Sequence, residues 1–210
     1  DHEAYFPLLW THEIPATLGG LSRANIANAL AATAIAYALK VPIETIRAAL
    51  QSFVPSFESN PGRLNVWDKL PFKVVMDYAH NPAAMEHIGT LVKGLRPQHQ
   101  RVIGVLSGTG DRRDQDLVEM GQLIGGMVDE LIIKEDERRG RKPGETSALI
   151  KQGALDAGLK EEAISGWLPE KEAVQTALEK ARPGDLVLIF ASRVNAVWKQ
   201  ITSYKPKQTQ

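Results

Sequence analysis

The sequence predicts an α/β fold, a mostly parallel sheet flanked by helices. Three observations predict it. From residue 64 onward, short apolar runs alternate with helical stretches of about ten to fifteen residues, the pattern of repeated βαβ units. The runs Val74-Val75-Met76, Val102-Ile103-Gly104-Val105-Leu106 and Leu186-Val187-Leu188-Ile189-Phe190 lack polar alternation, as strands do when helices cover both faces. Each run gives way to a polar or glycine-containing loop, and open α/β sheets place their ligands off the carboxyl ends of their strands.

The elements follow in order. Residues 1–20 hold Tyr5, Phe6, Leu8, Leu9 and Trp10, then Ile14-Pro15-Ala16-Thr17-Leu18-Gly19-Gly20. Short extended pieces with a Gly-Gly turn predict edge strands or a hairpin. Residues 22–39 predict a strong helix, capped by Ser22 and rich in alanine. Small residues on several of its faces predict close packing against other helices or a sheet. A second helix starts at Val41-Pro42-Ile43-Glu44 and carries Ile43, Ile46, Ala49, Leu50 and Phe53 at helical spacing. Two prolines, a glycine and polar residues over 54–62 mark a linker at about 54–61, dividing 1–56 from 57–210. Beyond it, strands are predicted at 64–67, 72–77, 101–106, 130–134, 164–167 and 185–190. Helices are predicted at 82–95, 114–128, 144–158, 169–181 and 192–202, with a polar tail over 205–210. The result is Rossmann-like.

Composition narrows the function. Of 210 residues, 43% are hydrophobic and 24% charged, ordinary for a soluble globular protein. Lys and Arg total 25, as do Asp and Glu, so no charge excess points to nucleic acid or a membrane surface. No apolar run approaches the ~20 residues that span a bilayer. The opening Asp1-His2-Glu3 is no secretory signal, and the absence of cysteine excludes disulfides and thiolate metal sites. A cytoplasmic protein is expected. The chain starts within a strand-like segment and without methionine, so a fragment of a longer polypeptide is expected.

The carboxyl-end rule selects four loops: 77–82, 107–113, 134–144 and 191–193. In the first, Asp77 can accept from sugar hydroxyls, and His80 can meet an anion or shuttle a proton. Both are equally suited to turns and caps. Arg63, in Pro61-Gly62-Arg63-Leu64 beside the linker, can reach a phosphate by a forked contact or make a surface ion pair. Ser107-Gly108-Thr109-Gly110-Asp111-Arg112-Arg113-Asp114 can offer backbone amides to an anion, and its mixed charges suit a zwitterionic amino acid. It matches neither a P-loop nor a dinucleotide motif. The charged run from Lys134 through Glu135, Asp136 and Arg139 to Arg141 is either a solvated loop or a substrate contact. Asn25 and Asn28 share one face of the first helix, where a carboxamide can meet an adenine edge.

These pieces together resemble the C-terminal part of a Mur-type ligase over essentially the whole chain. Asn25-Ile26-Ala27-Asn28 looks like the asparagine helix that closes the superfamily's central ATPase domain. Gly62-Arg63 looks like its interdomain Gly-Arg, and Asp77-Tyr78-Ala79-His80-Asn81-Pro82 like its most specific signature. Within the superfamily, the 107–114 loop with Lys134-Glu135-Asp136 and Arg139-Gly140-Arg141 looks most like the cyanophycin synthetase branch, which attaches arginine to a poly-aspartate backbone. The resemblance implies that 1–56 is the end of the central ATP-binding domain and 57–210 the amino-acid-binding domain. It implies an ATP-dependent ligase that uses Mg²⁺ and passes through an acyl phosphate. Asn28 would touch adenine, Asp77 the ribose, and Arg63 and His80 the phosphates, the last two also catalytic. Gly110, Asp111, Arg112, Lys134, Glu135, Asp136, Arg139 and Arg141 would hold the incoming amino acid, arginine above others, opposite a carboxylate-bearing peptide acceptor. A homo-oligomer of the longer chain is expected.

Two features depart from the superfamily pattern. Its phosphate-cradling P-loop is not in this sequence, so the chain alone is expected to be inactive. Ala24 also stands where many members carry a metal-holding histidine, so no metal ligand is assigned. A peptidoglycan-precursor ligase, a folylpolyglutamate-type ligase and a catalytically silent structural module remain the alternatives.

Overall fold

A computed structural model describes residues 7–135 and 137–206. The chain divides into two compact units, one ending at Pro55 and the other beginning at Ser56.

The first unit holds helices α1 (Arg23–Ala38) and α2 (Ile43–Ser52). Ser22 caps α1 by accepting from the Asn25 N–H at 3.3 Å. Over the described residues 7–20 the edge strands or hairpin expected before it are not there. Thr11–Glu13 and Pro15–Thr17 are 3-10 turns. Pro15 has no N–H to give a strand ladder. The Thr17 hydroxyl contacts the carbonyls of Thr11 (2.5 Å) and Ile14 (2.8 Å), and the Gly20 N–H donates to it at 2.9 Å, winding the segment into turns. Tyr5 and Phe6 lie outside the described residues. Among the described residues α1 lies against α2 and the Pro15–Thr17 turn, but none of its residues is buried, and Leu30, Ile35 and Tyr37 are exposed.

The second unit is one six-stranded sheet: β1 (Asn65–Trp67), β2 (Lys73–Asp77), β3 (Val102–Leu106), β4 (Glu130–Glu135), β5 (Ile164–Pro169) and β6 (Leu186–Phe190), in the order β1-β2-β6-β3-β4-β5. Strand β1 pairs antiparallel with β2 and every other pairing is parallel. The carboxyl ends of β2 to β6 therefore share one edge. Helices α3 (Pro82–Leu95), α4 (Asp114–Gly125), α5 (Glu145–Asp156), α6 (Glu170–Lys180) and α7 (Val194–Ser203) connect and cover the strands.

One face of the sheet offers Val74, Met76, Ile103, Val105, Val187 and Ile189 to Val174 and Leu178 of α6 and Val197 and Ile201 of α7. On the other face, Gly104 lies against Ile124 of α4, and α3 and α5 pack on α4. Each fully buried branched side chain contributes roughly 1.5–3 kcal/mol, so this two-faced core anchors the strand ends. Trp198 of α7 stacks on Phe57 with ring centroids 4.9 Å apart, tying the start of the unit to its last helix. Strand β5 reaches two residues further than its apolar pattern suggests. A register shift against Ile133 and Lys134 carries it to Pro169, where α6 begins.

Candidate functional site

The site begins where β2 ends. Asp77 is nearly buried, and its carboxylate accepts from two backbone amides, Leu64 at 2.9 Å and Ala79 at 2.7 Å. The first bond holds a strained residue, since Leu64 sits at φ +49°, a left-handed conformation that costs a non-glycine residue about 1–2 kcal/mol. Gly62, at φ +74°, accepts from the Tyr78 N–H at 2.9 Å. A Cβ there would sit 2.9 Å from a Val194 methyl, so only glycine fits. Asn65 locks the segment by accepting from the Gly62 N–H at 2.7 Å. The 60–65 segment is thus clamped onto the 77–79 strand end. Arg63 is exposed, and its charge favours the ionised form of Asp77. Burial is the larger influence and pushes the Asp77 carboxyl above its ordinary range, against the pull of the two amides and Arg63.

His80 follows two residues after Tyr78, packed edge-on against its ring at 5.1 Å. Its Nδ1 lies 2.8 Å from the Tyr78 carbonyl, which can only accept. Nδ1 therefore carries the proton, and in the neutral ring Nε2 keeps its lone pair. Asn81 accepts from the Ala84 N–H at 2.9 Å and caps α3, with Pro82 in its first turn.

The 107–114 and 134–145 loops interlock. The Gly110 N–H donates to the Glu137 carbonyl at 3.0 Å, and a Cβ on Gly110 would fall 1.7 Å from the Arg138 carbonyl oxygen. Glycine is required here so that two backbones can touch. Arg141 staples the pair, reaching the carbonyls of Gly110 (2.9 Å) and Arg112 (2.6 Å) and the carboxylates of Asp114 (2.7 Å) and Glu145 (2.8 Å). Arg139 adds an exposed bridge to Asp111 at 2.5 Å and to Glu137 at 3.3 Å. Arg138 pairs with Glu135 at 3.3 Å.

A fourth cluster lies beneath the cleft, and sequence reasoning missed its centre. Lys134 is only 1% exposed and Glu170 only 3%. The Lys134 ammonium meets Glu170 Oε1 at 2.8 Å and the Ser192 hydroxyl at 2.6 Å. Glu170 also accepts from the backbone amides of Ser192 (2.7 Å) and Arg193 (3.1 Å) and from Arg193 Nε (3.3 Å). Burial alone would raise the Glu170 carboxyl, but Lys134 and the backbone donors outweigh it and hold it below its ordinary range. One signal for Glu170 was available: a lysine inside an apolar strand needs a buried acid, and Glu170 opens the helix that follows the neighbouring strand.

All four loops meet in one cleft of about 620 Å³. His80, Arg112, Glu135, Arg139 and Arg193 line it, with Glu170 at the end of β5. Of the predicted site residues, His80, Arg112, Glu135 and Arg139 face this space. Asp77, Gly110, Asp111, Lys134 and Arg141 frame it without lining it, and Arg63 stands by Asp77. Asn28 belongs to the other unit, where its amide nitrogen lies 3.4 Å from Asn25 Oδ1. Asp136 lies outside the described residues. Among the described residues no group of three or more His, Asp or Glu side chains is placed to hold a metal ion, and no helix is long and apolar enough to cross a membrane.

Residues 62–193 match the family model described as Mur ligase, glutamate ligase domain. The chain is 39% identical over 196 residues to cyanophycin synthetase from Synechocystis sp., covering 92% of this chain and 22% of that one. It is 33% identical over 167 residues to UDP-N-acetylmuramyl-tripeptide synthetase from Roseiflexus sp., covering 79% of this chain and 32% of that one. The chain thus spans about a fifth to a third of the length of these relatives. A solved UDP-N-acetylmuramate-alanine ligase from Thermotoga maritima superposes with a TM-score of 0.64 over 87% of this chain and 38% of that one. At 14% identity it speaks for the fold alone.

Proposed function

The chain belongs to the Mur ligase family, and from that premise we propose that its second unit is the amino-acid-binding part of an ATP-dependent ligase of the cyanophycin synthetase kind. In this reading the complete enzyme joins arginine to the side-chain carboxylates of a poly-aspartate backbone. The observation that carries it is the convergence of the His80 loop with two interlocked loops of mixed charge on one cleft. The 39% identity to a cyanophycin synthetase supports arginine as the added amino acid.

ATP with Mg²⁺, when bound, supplies the phosphoryl group that turns a carboxylate into an acyl phosphate. The residues that fit its phosphates are Arg63, whose exposed guanidinium forms no side-chain hydrogen bond among the described residues, and His80, whose Nε2 would donate to a phosphate from the protonated ring, Nδ1 being spent on Tyr78. Asp77 would meet the ribose and Asn28 the adenine. No residue of this chain is assigned to the metal. The incoming amine attacks the acyl carbon, the C–N bond forms and phosphate leaves. Gly110, Asp111, Arg112, Glu135, Asp136, Arg139 and Arg141 shape the amino-acid subsite. Lys134 serves it from beneath, through Glu170.

The same premise makes residues 1–56 the end of the central ATP-binding domain and 57–210 the C-terminal domain. The division into two units supports this, as does α1, apolar around its girth yet unburied, as a helix from the core of a larger domain would be.

Isothermal titration of the chain with arginine, lysine, meso-diaminopimelate and glutamate tests the substrate. Arginine is expected to bind best. Tighter binding of meso-diaminopimelate or glutamate overturns the cyanophycin reading and favours a peptidoglycan or folate branch.

A further inference from the structure

We infer that Glu170 is a positioning residue for Arg193, and that Arg193 receives the carboxylate of the amino acid that enters the cleft. The inference rests on the proposed amino-acid-binding role of this unit and names a receptor for one end of the ligand.

Glu170 opens α6 and projects its carboxylate across the carboxyl ends of β4 and β6. Both of its oxygens are engaged, one by Lys134 and the Ser192 amide, the other by the amide and Nε of Arg193. Two successive backbone amides bound to one buried carboxylate fix the peptide that leads from β6 into α7. The Nε contact then fixes the start of the Arg193 guanidinium. The rest of that side chain stands in the cleft at 74% exposure, and among the described residues neither of its terminal nitrogens has a partner. A guanidinium held at Nε with both terminal nitrogens turned outward is a fork of the shape a carboxylate needs.

Charge supports the same assignment. A lone Glu170 would cancel Arg193 and leave a neutral pair with nothing for an anion. The buried Lys134 meets the same carboxylate at 2.8 Å, so Glu170 is shared between two cations and Arg193 is not its sole counter-charge. Elsewhere in the cleft Arg138 is matched to Glu135, and Arg139 to Asp111 and Glu137. Arg112 acts on the Asp116 carboxylate by its charge, and its Nε is enclosed without a hydrogen bond. Arg193 is the cleft cation that is aimed by a carboxylate it shares with a second, buried cation.

The test compares amino acids with their decarboxylated amines, arginine with agmatine and glutamate with 4-aminobutyrate, by titration into the chain. Arg193→Ala is expected to weaken arginine about ten- to a hundred-fold, the range for a lost charge-assisted bond, and to leave agmatine unchanged. Glu170→Gln is expected to weaken arginine less, spare agmatine, and add nothing once Arg193 is already alanine. Arg193→Lys is expected to recover part of the loss. Arg193 is exposed, so its variants keep the fold and carry the test even where Glu170→Gln does not. Equal weakening of arginine and agmatine by Arg193→Ala overturns the inference. So does a Glu170→Gln loss that persists undiminished in the Arg193→Ala background. Should glutamate bind and arginine not, the arginine reading falls, and because 4-aminobutyrate keeps one carboxylate, loss of glutamate binding in Arg193→Ala with 4-aminobutyrate binding unchanged assigns Arg193 to the α-carboxylate, and equal weakening of the two overturns that assignment. No heat with any amino acid overturns both.

Discussion

Asp77 and Glu170 are carboxylates buried at the same edge of the same sheet, and their surroundings treat burial in opposite ways. Asp77 is met by neutral donors, the amides of Leu64 and Ala79, with the charge of Arg63 at the surface. Burial wins there, and the acid is pushed up. Glu170 is met by a fully buried ammonium as well as by amides. Burial loses there, and the acid is held down. The two ends of the site differ by one lysine. The difference shows that amides can aim a buried carboxylate, and that a buried ammonium beside it reverses the direction in which burial pushes it.

The most disruptive way to break this contrast is to remove that lysine. Lys134→Met is expected to cost about 3–5 kcal/mol in urea unfolding, because it strands a buried charge. Adding Glu170→Leu is expected to recover most of the loss, since an apolar pair of similar volume replaces the ions. A double variant no more stable than the single one would mean that the amides of Ser192 and Arg193 matter more than the ion pair. At the other end, Asp77→Asn is expected to cost about 1–3 kcal/mol by the same measurement, because a carboxamide offers one acceptor oxygen to two buried amides and turns an NH₂ toward the other.

Acid titration sharpens the contrast further. A carboxyl whose folded value is raised costs stability at neutral pH, and that cost disappears as pH falls through the raised value. Asp77 is therefore expected to add stability on acidification above the ordinary carboxylate range. Glu170 contributes stability above its ordinary value and loses it as pH falls through a folded value below that range. Unfolding free energies from pH 7 to 3 should show the early gain vanish in Asp77→Asn and the later loss shrink in the Lys134→Met, Glu170→Leu double variant. The smallest effect is expected from Arg139→Ala, which removes a bridge whose partners are each about half exposed. Its stability should match the wild type within error while its arginine titration weakens.

Much of the sheet was legible because parallel strands buried on both faces are continuous apolar runs. Helix α3 was legible to the residue, because Asn81 caps it and Pro82 starts it. Residues 7–20 were not. Their aromatic and apolar content reads as strand, but Pro15 withholds a donor and the Thr17 hydroxyl takes two carbonyls, local chemistry that a periodicity count does not weigh. The loops of the site could be named from strand ends alone. Glu170 could not be paired, since its partners Lys134, Ser192 and Arg193 come from two other strand ends and are joined to it only by the folded sheet. Gly110 showed as a glycine in a loop, and its real demand, contact with the Arg138 backbone, exists only once the two loops are side by side.

The strand order also has a consequence for biosynthesis. Strand β6, the last of this sheet to leave the ribosome, is inserted in the middle of the sheet, where Lys73 aligns with Leu186 on one side and Val102 with Leu186 on the other. Until it emerges, β1–β2 and β3–β4–β5 are two separate strips with unpaired inner edges. The nascent domain cannot complete its sheet from the front, and every interruption upstream of Asp185 leaves two adhesive edges that favour aggregation or capture by a chaperone. The final central strand makes folding of this unit a single late event, timed by the emergence of β6.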